Sequence, residues 1–511
     1  MSFELGNKCL SVGNQLVRAA WKYPDKEAIV CKGKRVTFKE LNTRVNSLAH
    51  GLMDLGIKKG DFVSIILMNC TEFVETYFAL AKIGAIATPL NYRLIPNEIQ
   101  QLINRFEPKA LIFGSEFKDM VAGMRANLKS IKHYIFIGEG EVEDTTPYEE
   151  LAIGHSTEEP DVEIYQDDGQ YMNQTSGTTG LPKASIMTHY NNLMAVMQLF
   201  CEVSVDSSWV IMDVFPLFNR VGWIWLLAAV TAGCKNIITE MDPQKILESI
   251  EKEKVNIVNL VPVITNLLMM VPNFQKYDMS SLRLIVYAAA PLTKEVREAT
   301  YKYFAKNIAE YYGNTESSVL VFCNPEVKKS KPTSLGTPAF GASVRIVDEN
   351  DKDVPLGEIG EIICRSPAMN AIYFKNPEKT KKAMRNGWFH MGDLGRFDQD
   401  RHLYIMGRVE DLIISGGDKI FAPEVEDLIQ NHPKVQQCAV IGLPDKVLGN
   451  IATAVVTPKP GEKVDEKEII DYCKGKMADF KIPKKVKTID AIPRTATGKV
   501  LKFQLVEKFS K

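Results

Sequence analysis

A stretch of hydroxyl-bearing residues and glycines ends in a lysine where residues 175–183 read T-S-G-T-T-G-L-P-K. Backbone N–H groups, hydroxyls and an ammonium are donors that bind a polyphosphate. The spacing differs from the G-x-x-x-x-G-K-[ST] phosphate loop, because residues 177–183 read G-T-T-G-L-P-K. A surface turn is the alternative explanation for this composition, so other parts of the chain must distinguish the two.

Polar turns also follow several predicted strands, at the place where open parallel sheets bind their ligands. The small residues 288–292 would let a flat ring approach the backbone, and residues 312–316 (Y-G-N-T-E) offer a hydroxyl and a carboxylate. Later turns with the same character are residues 387–393, 407–408, 415–417 and 493–499. Each turn alone has a structural explanation, such as a helix cap for Glu316 or a solvated lysine for Lys499.

The elements that would position these turns alternate as in an α/β protein. A capping box at residues 37–40 predicts a helix that stops at Gly56. A strand, a helix and a strand are then predicted at residues 62–67, 72–83 and 85–89. Further strands are predicted at residues 256–261, 282–287 and 308–311, a meander or small barrel between residues 334 and 365, strands at 435–441 and 452–457, and a helix at 466–477.

Length, charge and cysteine usage narrow the class of protein. A chain of 511 residues is too long for one core, so at least two domains are expected. The formal net charge of −1 predicts no nucleic-acid partner and no anionic membrane surface. The nine cysteines are scattered and never spaced C-x-x-C, which favours free thiols over disulfides or zinc. With no signal peptide or transmembrane pattern, we expect a cytoplasmic protein, with a homo-oligomer left open.

Taken together and in order, these turns resemble the motifs of the adenylate-forming superfamily, which contains acyl-CoA synthetases, peptide-synthetase adenylation domains and firefly-type luciferases. The matching stretches are residues 175–183, 312–316, 387–393, 407–411 and 493–499. The resemblance implies an α/β fold: an N-terminal domain of parallel-sheet layers plus a small barrel, residues 1–407, and a mobile C-terminal α+β domain, residues 408–511. The hinge is expected near Glu410.

The resemblance also implies a two-step reaction in which a carboxylate and ATP form an acyl-adenylate, and coenzyme A then displaces AMP. Because both reactants of the first step are anions, the site must mainly neutralise charge. The residues implied in ATP or AMP binding are Thr175, Ser176, Gly177, Thr178, Thr179, Gly180, Lys183, Ala289, Ala290, Pro291, Glu310, Tyr311, Thr315, Asp393, Arg408 and Lys499. Catalysis is implied for Lys499, Thr178 and Glu316, with Mg²⁺ held by Glu316 and Thr178 or Thr179. The acid pocket is expected to contain Phe218, Asn219, Trp223, Ala288, Tyr312 and Gly313, and coenzyme A is expected to pass Ser415, Gly416 and Gly417.

Four positions depart from the superfamily pattern: Ala184, Met391, Glu410 and Asn219. Asn219 stands where many acyl-CoA synthetases have His and amino-acid activators have Asp, so an amino-acid substrate is disfavoured. Gly313 stands where acetate activators carry a tryptophan plug, which predicts an open pocket floor. We therefore expect a medium-chain, aromatic or alicyclic monocarboxylate. A stand-alone enzyme that loads a carrier-protein thiol, or a luciferase-like oxygenase, is the alternative.

Overall fold

The computed structural model describes residues 10–174, 183–494 and 500–510. Two compact units can be separated in it, Met1–Val344 with Cys364–Phe389, and Arg345–Ile363 with His390–Lys511. The chain therefore passes between the units more than once before residue 407. The boundary that the sequence predicts at residues 407 and 408 stays a prediction.

Strands and helices alternate along most of the described chain. The strands are β1 (Glu27–Cys31), β2 (Lys34–Thr37), β3 (Phe62–Ile66), β4 (Ile86–Pro89), β5 (Ala110–Gly114), β6 (His133–Ile137), β7 (Thr146–Pro147), β8 (Gly169–Gln174), β9 (Ala184–Thr188), β10 (Val210–Asp213), β11 (Lys235–Ile238), β12 (Ile257–Leu260), β13 (Leu284–Tyr287), β14 (Ile308–Tyr312), β15 (Val321–Cys323), β16 (Thr337–Pro338), β17 (Ser343–Val347), β18 (Gly360–Arg365), β19 (Met384–Arg385), β20 (Trp388–Phe397), β21 (Leu403–Arg408), β22 (Leu412–Ser415), β23 (Asp418–Phe421), β24 (Val435–Asp445), β25 (Gly449–Pro458) and β26 (Lys485–Thr488). The helices are α1 (Val12–Lys22), α2 (Phe38–Asp54), α3 (Thr71–Ile83), α4 (Pro96–Phe106), α5 (Lys118–Met124), α6 (Tyr148–Ile153), α7 (His189–Glu202), α8 (Arg220–Ala232), α9 (Pro243–Glu253), α10 (Pro262–Met270), α11 (Lys294–Tyr303), α12 (Pro325–Ser330), α13 (Pro377–Ala383), α14 (Ala422–Gln430), α15 (Glu466–Cys473) and α16 (Lys502–Phe509).

Two large sheets form the framework of the first unit. One has nine strands in the order β16-β15-β14-β13-β12-β10-β11-β1-β2, and the other has seven in the order β7-β6-β5-β3-β4-β8-β9. Strands β10 to β14 pair in parallel, as do β3, β4, β5 and β6. The predicted α/β layers are therefore confirmed, and the carboxyl ends of β12, β13 and β14 lie at one edge of the larger sheet.

The remaining strands form smaller, mostly antiparallel sheets. One has the order β17-β18-β20-β19 with β21 beside β20, and the other has the order β23-β22-β25-β24 with β26 beside β25. The second of these sheets, together with α14 and α15, makes the mixed α/β C-terminal part that the sequence predicts. Strand β16, expected in the meander, instead extends the edge of the nine-stranded sheet through β15.

Local sequence signals explain where several elements begin and end. At the start of α2, Thr37 Oγ1 accepts the Glu40 N–H and the Glu40 carboxylate accepts the Thr37 N–H, which confirms the predicted capping box. Helix α15 ends at Cys473, four residues before the predicted end at residue 477. Lys474 is extended and Gly475 has a φ of +70°, a conformation that stops a helix.

Candidate active site

Residues 175–182 of the predicted phosphate loop lie outside the described residues. The chain that follows the loop makes several contacts that fix its position. Lys183 is the first described residue after the loop, and its Nζ lies 5.1 Å from the centre of the Tyr373 ring. Strand β9 then pairs antiparallel with β8. The two strands on which the loop is mounted are therefore fixed within the seven-stranded sheet.

Glu316 lies at a buried junction of three chain segments. Its side chain accepts a hydrogen bond of 2.6 Å from the Tyr373 hydroxyl, and its backbone carbonyl accepts one from the Asn370 N–H. Tyr373 also forms a backbone bridge with Ser185 of β9, and the Asn370 side chain donates to the Ile186 carbonyl. Residues 370–373 thus tie the strand that leaves the phosphate loop to the predicted metal ligand.

The electrostatics of this junction favour a cation. Glu316 is 6% exposed, and nowhere in the described ranges does a basic side chain form an ion pair with it. Burial and the neighbouring Glu316 carboxylate raise the pKa of Tyr373, so its hydroxyl remains a hydrogen-bond donor at neutral pH. A buried carboxylate held by a neutral donor keeps its charge available to a hard cation such as Mg²⁺, which prefers oxygen ligands.

Gly313 is required by the geometry of the loop that carries Glu316. A Cβ atom at this position would lie 1.8 Å from the Ser318 carbonyl oxygen, so no side chain fits without a backbone shift. Ser318 itself has a left-handed φ of +59°, which is strained for a residue with a side chain. The backbone geometry alone therefore explains a glycine at position 313. Its presence is then weaker evidence for an open pocket floor.

The predicted adenine-binding residues lie at the carboxyl ends of β13 and β14. Ala288 is buried, whereas residues 289–291 are exposed, and Ala289 adopts a left-handed φ of +67°. Successive side chains of β14 alternate between the two faces of the sheet, so Glu310 and Tyr311 point to opposite sides. The two side chains therefore lie on opposite faces of the strand, and the assignment of Glu310 and Tyr311 to the adenine stays a prediction.

Glu310 is already engaged in a buried ion pair. Its carboxylate lies 2.5 Å from Lys328 Nζ, and Lys328 also donates to the carbonyls of Pro332 and Ser334. Burial raises the pKa of Glu310 while the adjacent Lys328 ammonium opposes that shift. This pair fixes the end of β14 against residues 328–334.

The predicted acid-pocket residues divide between partly exposed and buried positions. Phe218 and Asn219 are partly exposed, and the Phe218 ring lies edge-on to Tyr92 at 5.1 Å. Trp223 is fully buried and stacks against Tyr171 in the core. Its role as a pocket wall stays a prediction, and plain core packing explains its position.

Residues 387–417 carry the remaining described motif positions. Asp393 and Arg408 are cross-strand partners on β20 and β21, with 2.8 Å between the Asp393 carboxylate and Arg408 Nε. The two predicted ribose-binding residues are therefore brought together. Met391 is buried beside them in the chain.

Ser415, Gly416 and Gly417 belong to a tight hairpin. Ser415 pairs with Asp418, and both intervening glycines have a positive φ, as two-residue hairpin turns require. Glu410 is exposed in the turn between β21 and β22. Lys499 lies outside the described residues.

Sequence reasoning missed three residues that the structure places beside the predicted site: Tyr373, Lys328 and Arg220. None lies within the five matching motifs. Their types are common, and only the folded chain shows that each is buried against a site residue or its loop. A weak signal for Arg220 was its position directly after Asn219.

Comparison with known proteins places the chain in a family. The model of the AMP-binding enzyme family matches residues 16–374, and that of the AMP-binding enzyme C-terminal domain matches residues 424–499. The chain belongs to the AMP-binding enzyme family. It is a member of the adenylate-forming superfamily close to the acyl-CoA synthetases, and thus an acid–thiol ligase.

Individual relatives agree along nearly the whole chain. A feruloyl-CoA synthase of Amycolatopsis sp is 32% identical over 504 residues, covering 98% of this chain and 99% of the relative. A long-chain-fatty-acid–CoA ligase, FadD13, of Mycobacterium tuberculosis is 33% identical and covers 93% of each chain. The ATP-bound structure of MatB from Rhodopseudomonas palustris has a TM-score of 0.88 at 28% identity, covering 98% of this chain and 99% of that one. None of the described helices is long and apolar enough to cross a membrane.

We predict that Gly313→Ala destabilises the first unit and weakens ATP binding, because the new methyl group would collide with the Ser318 carbonyl. Thermal unfolding and calorimetric titration with ATP measure the two effects, and the expected loss of stability is about 1–3 kcal/mol. Gly123→Ala is the matched control, since a Cβ there meets nothing within 4 Å. Equal melting temperatures for both variants would contradict the close approach of residues 313 and 318.

Proposed function

We propose that the chain is an AMP-forming acyl-CoA synthetase that converts a carboxylic acid, ATP and coenzyme A into an acyl-CoA, AMP and pyrophosphate. The observation that carries the proposal is the buried Glu316, held by Tyr373 next to the strand that leaves the phosphate loop. This arrangement suits a carboxylate that must present its charge to a metal beside a polyphosphate.

The first half-reaction requires charge neutralisation more than proton transfer. A carboxylate oxygen of the acid attacks the α-phosphorus of ATP, and the bond to the bridging oxygen breaks to release pyrophosphate. We assign residues 175–183 to the β- and γ-phosphates, and Glu316 with Thr178 or Thr179 to Mg²⁺. The metal, when bound, would neutralise phosphate charge. Lys499 is assigned to the α-phosphate and the attacking carboxylate as a compact point charge.

The nucleoside is assigned to residues whose backbone or side chains suit a flat ring and two hydroxyls. Residues 289–291 are exposed and small at the end of β13, so they can lie against adenine. Asp393, already bonded to Arg408, is assigned to the ribose hydroxyls. The ion pair holds the carboxylate in one orientation, which lowers the entropic cost of ordering it on binding.

The second half-reaction transfers the acyl group from AMP to the coenzyme A thiol. We assign the pantetheine arm to the hairpin at residues 415–417. Gly416 and Gly417 have no side chains, so that of Ser415 is the only one in these three residues. Glu410 is assigned to the hinge. It is exposed and lies in a turn, so its φ and ψ angles can change without loss of core contacts.

The acid is proposed to be a medium-chain, aromatic or alicyclic monocarboxylate. Phe218 and its edge-on partner Tyr92 offer an apolar wall, and Asn219 offers a neutral amide in place of the carboxylate that an ammonium would need. These features support an apolar acid over an amino acid.

Release of AMP from ATP in the presence of a panel of carboxylic acids, each with and without coenzyme A, tests the proposal directly. We expect multiple-turnover AMP release only with an acid and coenzyme A, and an acyl-CoA product by mass spectrometry. Release with a carrier protein but not with coenzyme A would favour the carrier-loading alternative. Consumption of oxygen with light emission would favour the oxygenase.

We predict that Lys499→Ala lowers the rate of adenylation by about 100-fold or more, because a charge contact in the transition state is lost. Thioester formation from a preformed acyl-adenylate should be spared. Single-turnover assays of the two half-reactions provide the measurement, and Lys508→Ala, an exposed lysine in α16, provides the control. Equal losses in both half-reactions would contradict the assignment of Lys499 to the first step.

Tyr373→Phe should weaken magnesium-dependent ATP binding by about 10–100-fold, because Glu316 loses the hydroxyl that orients it. Calorimetric titration of ATP at several Mg²⁺ concentrations measures this effect separately from turnover. Tyr301→Phe is the control, since the buried Tyr301 hydroxyl has no hydrogen-bond partner in the part of the chain that the structure describes. An unchanged Mg²⁺ dependence in Tyr373→Phe would show that Glu316 does not need this hydroxyl.

For the acid itself, we predict that the specificity constant rises from acetate towards acids of six to eight carbons or a ring acid, and then falls. Each buried CH₂ should add about 0.8 kcal/mol of binding until the pocket is full. The measurement is kcat/KM across a homologous series at fixed ATP and coenzyme A. A maximum at acetate, palmitate or an amino acid would refute this substrate class.

A further inference from the structure

Arg220, the first residue of α8, carries a buried positive charge whose partners in the described part of the chain are all neutral. Its side chain donates through Nη1 to Asn192 Oδ1 and through Nη2 to Ser318 Oγ at 3.5 Å, while Nε has no partner among the described residues. The residue is 5% exposed. The contact with Ser318 is at the limit of a hydrogen bond, so the guanidinium has unused donor capacity.

No carboxylate of the chain compensates this charge within the ranges that the structure describes. Outside those ranges, residues 175–182 and 495–499 contain no aspartate or glutamate, and residues 1–9 contain one glutamate, Glu4. Burial lowers the pKa of Arg220 to about 10, so the group is still cationic at neutral pH. Buried charges in proteins are normally paired, because desolvation of an unpaired ion is strongly unfavourable.

A half-buried arginine of this chain, Arg44, shows what a purely structural arrangement looks like. Arg44 lies 2.6 Å from Glu75 and 2.9 Å from Glu149, so two carboxylates offset its charge. Arg220 instead contacts an amide and a hydroxyl. Asn192 is further bonded to Gln170, and this extends the neutral network without adding an acid.

The position of Arg220 connects it to the proposed acid pocket. It directly follows Asn219 and Phe218, and its Nη2 reaches Ser318. The Ser318 carbonyl is the group that a Cβ on Gly313 would strike, so the guanidinium lies beside the loop of residues 313–318. An anion that enters between Asn219 and this loop would meet a charge already removed from water.

We propose that Arg220 is a carboxylate-binding subsite of the acid pocket, in which the substrate carboxylate replaces the weak contact with Ser318. This inference rests on the proposed function and identifies the residue that recognises the acid as an anion. A planar guanidinium forms paired hydrogen bonds with a carboxylate, which a lysine cannot reproduce. For a monocarboxylate, the bound group is the one that reacts.

The test uses two six-carbon acids, hexanoate with one carboxylate and adipate with two. Both are assayed with the wild type, Arg220→Lys, Arg220→Met and Asn192→Leu. KM is measured separately for each acid and for ATP in the AMP-release assay, and circular dichroism checks folding. We expect Arg220→Met to raise KM for hexanoate by about tenfold or more with KM for ATP unchanged, and Arg220→Lys to recover part of the loss. Asn192→Leu removes a partner without removing the charge, so it should change KM for the acid far less.

The outcomes separate the subsite from the proposed function. A rise in KM confined to adipate overturns the assignment of Arg220 to the reacting carboxylate, because the guanidinium would then bind only a second carboxylate. The inference is overturned if Arg220→Met has the same KM as the wild type for hexanoate and the same KM as the wild type for adipate. If Arg220→Met does not fold, competition on the wild type decides: hexanoate should inhibit the formation of benzoyl-CoA from benzoate and hexanamide should not, and equal inhibition overturns the subsite. No AMP release by the wild type with any acid would instead be a failure of the proposed function.

Discussion

The placement of a buried carboxylate, Glu316, is the interaction on which the described part of the site depends. A charge in the protein interior is tolerated only when hydrogen bonds orient it and a counter-charge is available. Here the Tyr373 hydroxyl supplies the orientation, and residues 370–373 fasten the same junction to β9. One local arrangement therefore sets the positions of both the carboxylate and β9, the strand that follows the predicted phosphate loop in the sequence.

The same junction explains the unusual backbone around it. Gly313 allows the loop to pass so close to Ser318 that no side chain fits between them, and Ser318 and Ala289 both have a positive φ. Such conformations are unfavourable for residues with side chains by about 1–3 kcal/mol each, and they persist where the surrounding contacts enforce them. Their occurrence at the ends of β13 and β14 coincides with the edge at which a parallel sheet binds ligands.

The sequence predicted the fold and the reaction class well because both are encoded locally. Alternating strands and helices follow from hydrophobic periodicity, and the capping box at Thr37 depends on residues three apart. The contacts of Tyr373, Lys328 and Arg220 could not be predicted in this way. Each joins segments far apart in the chain, as in the 57 positions between Tyr373 and Glu316, and no local pattern marks such a pair. The opposite orientations of Glu310 and Tyr311, in contrast, follow from strand periodicity alone.

The central claim is that the acid is activated through an acyl-adenylate. Incubating the enzyme with ATP, coenzyme A and an acid labelled with ¹⁸O in its carboxylate tests this claim most directly, because the attacking oxygen must remain on the phosphorus. We expect one ¹⁸O atom in each AMP and none in pyrophosphate, as measured by mass spectrometry. Unlabelled AMP, or label in pyrophosphate or inorganic phosphate, would contradict it.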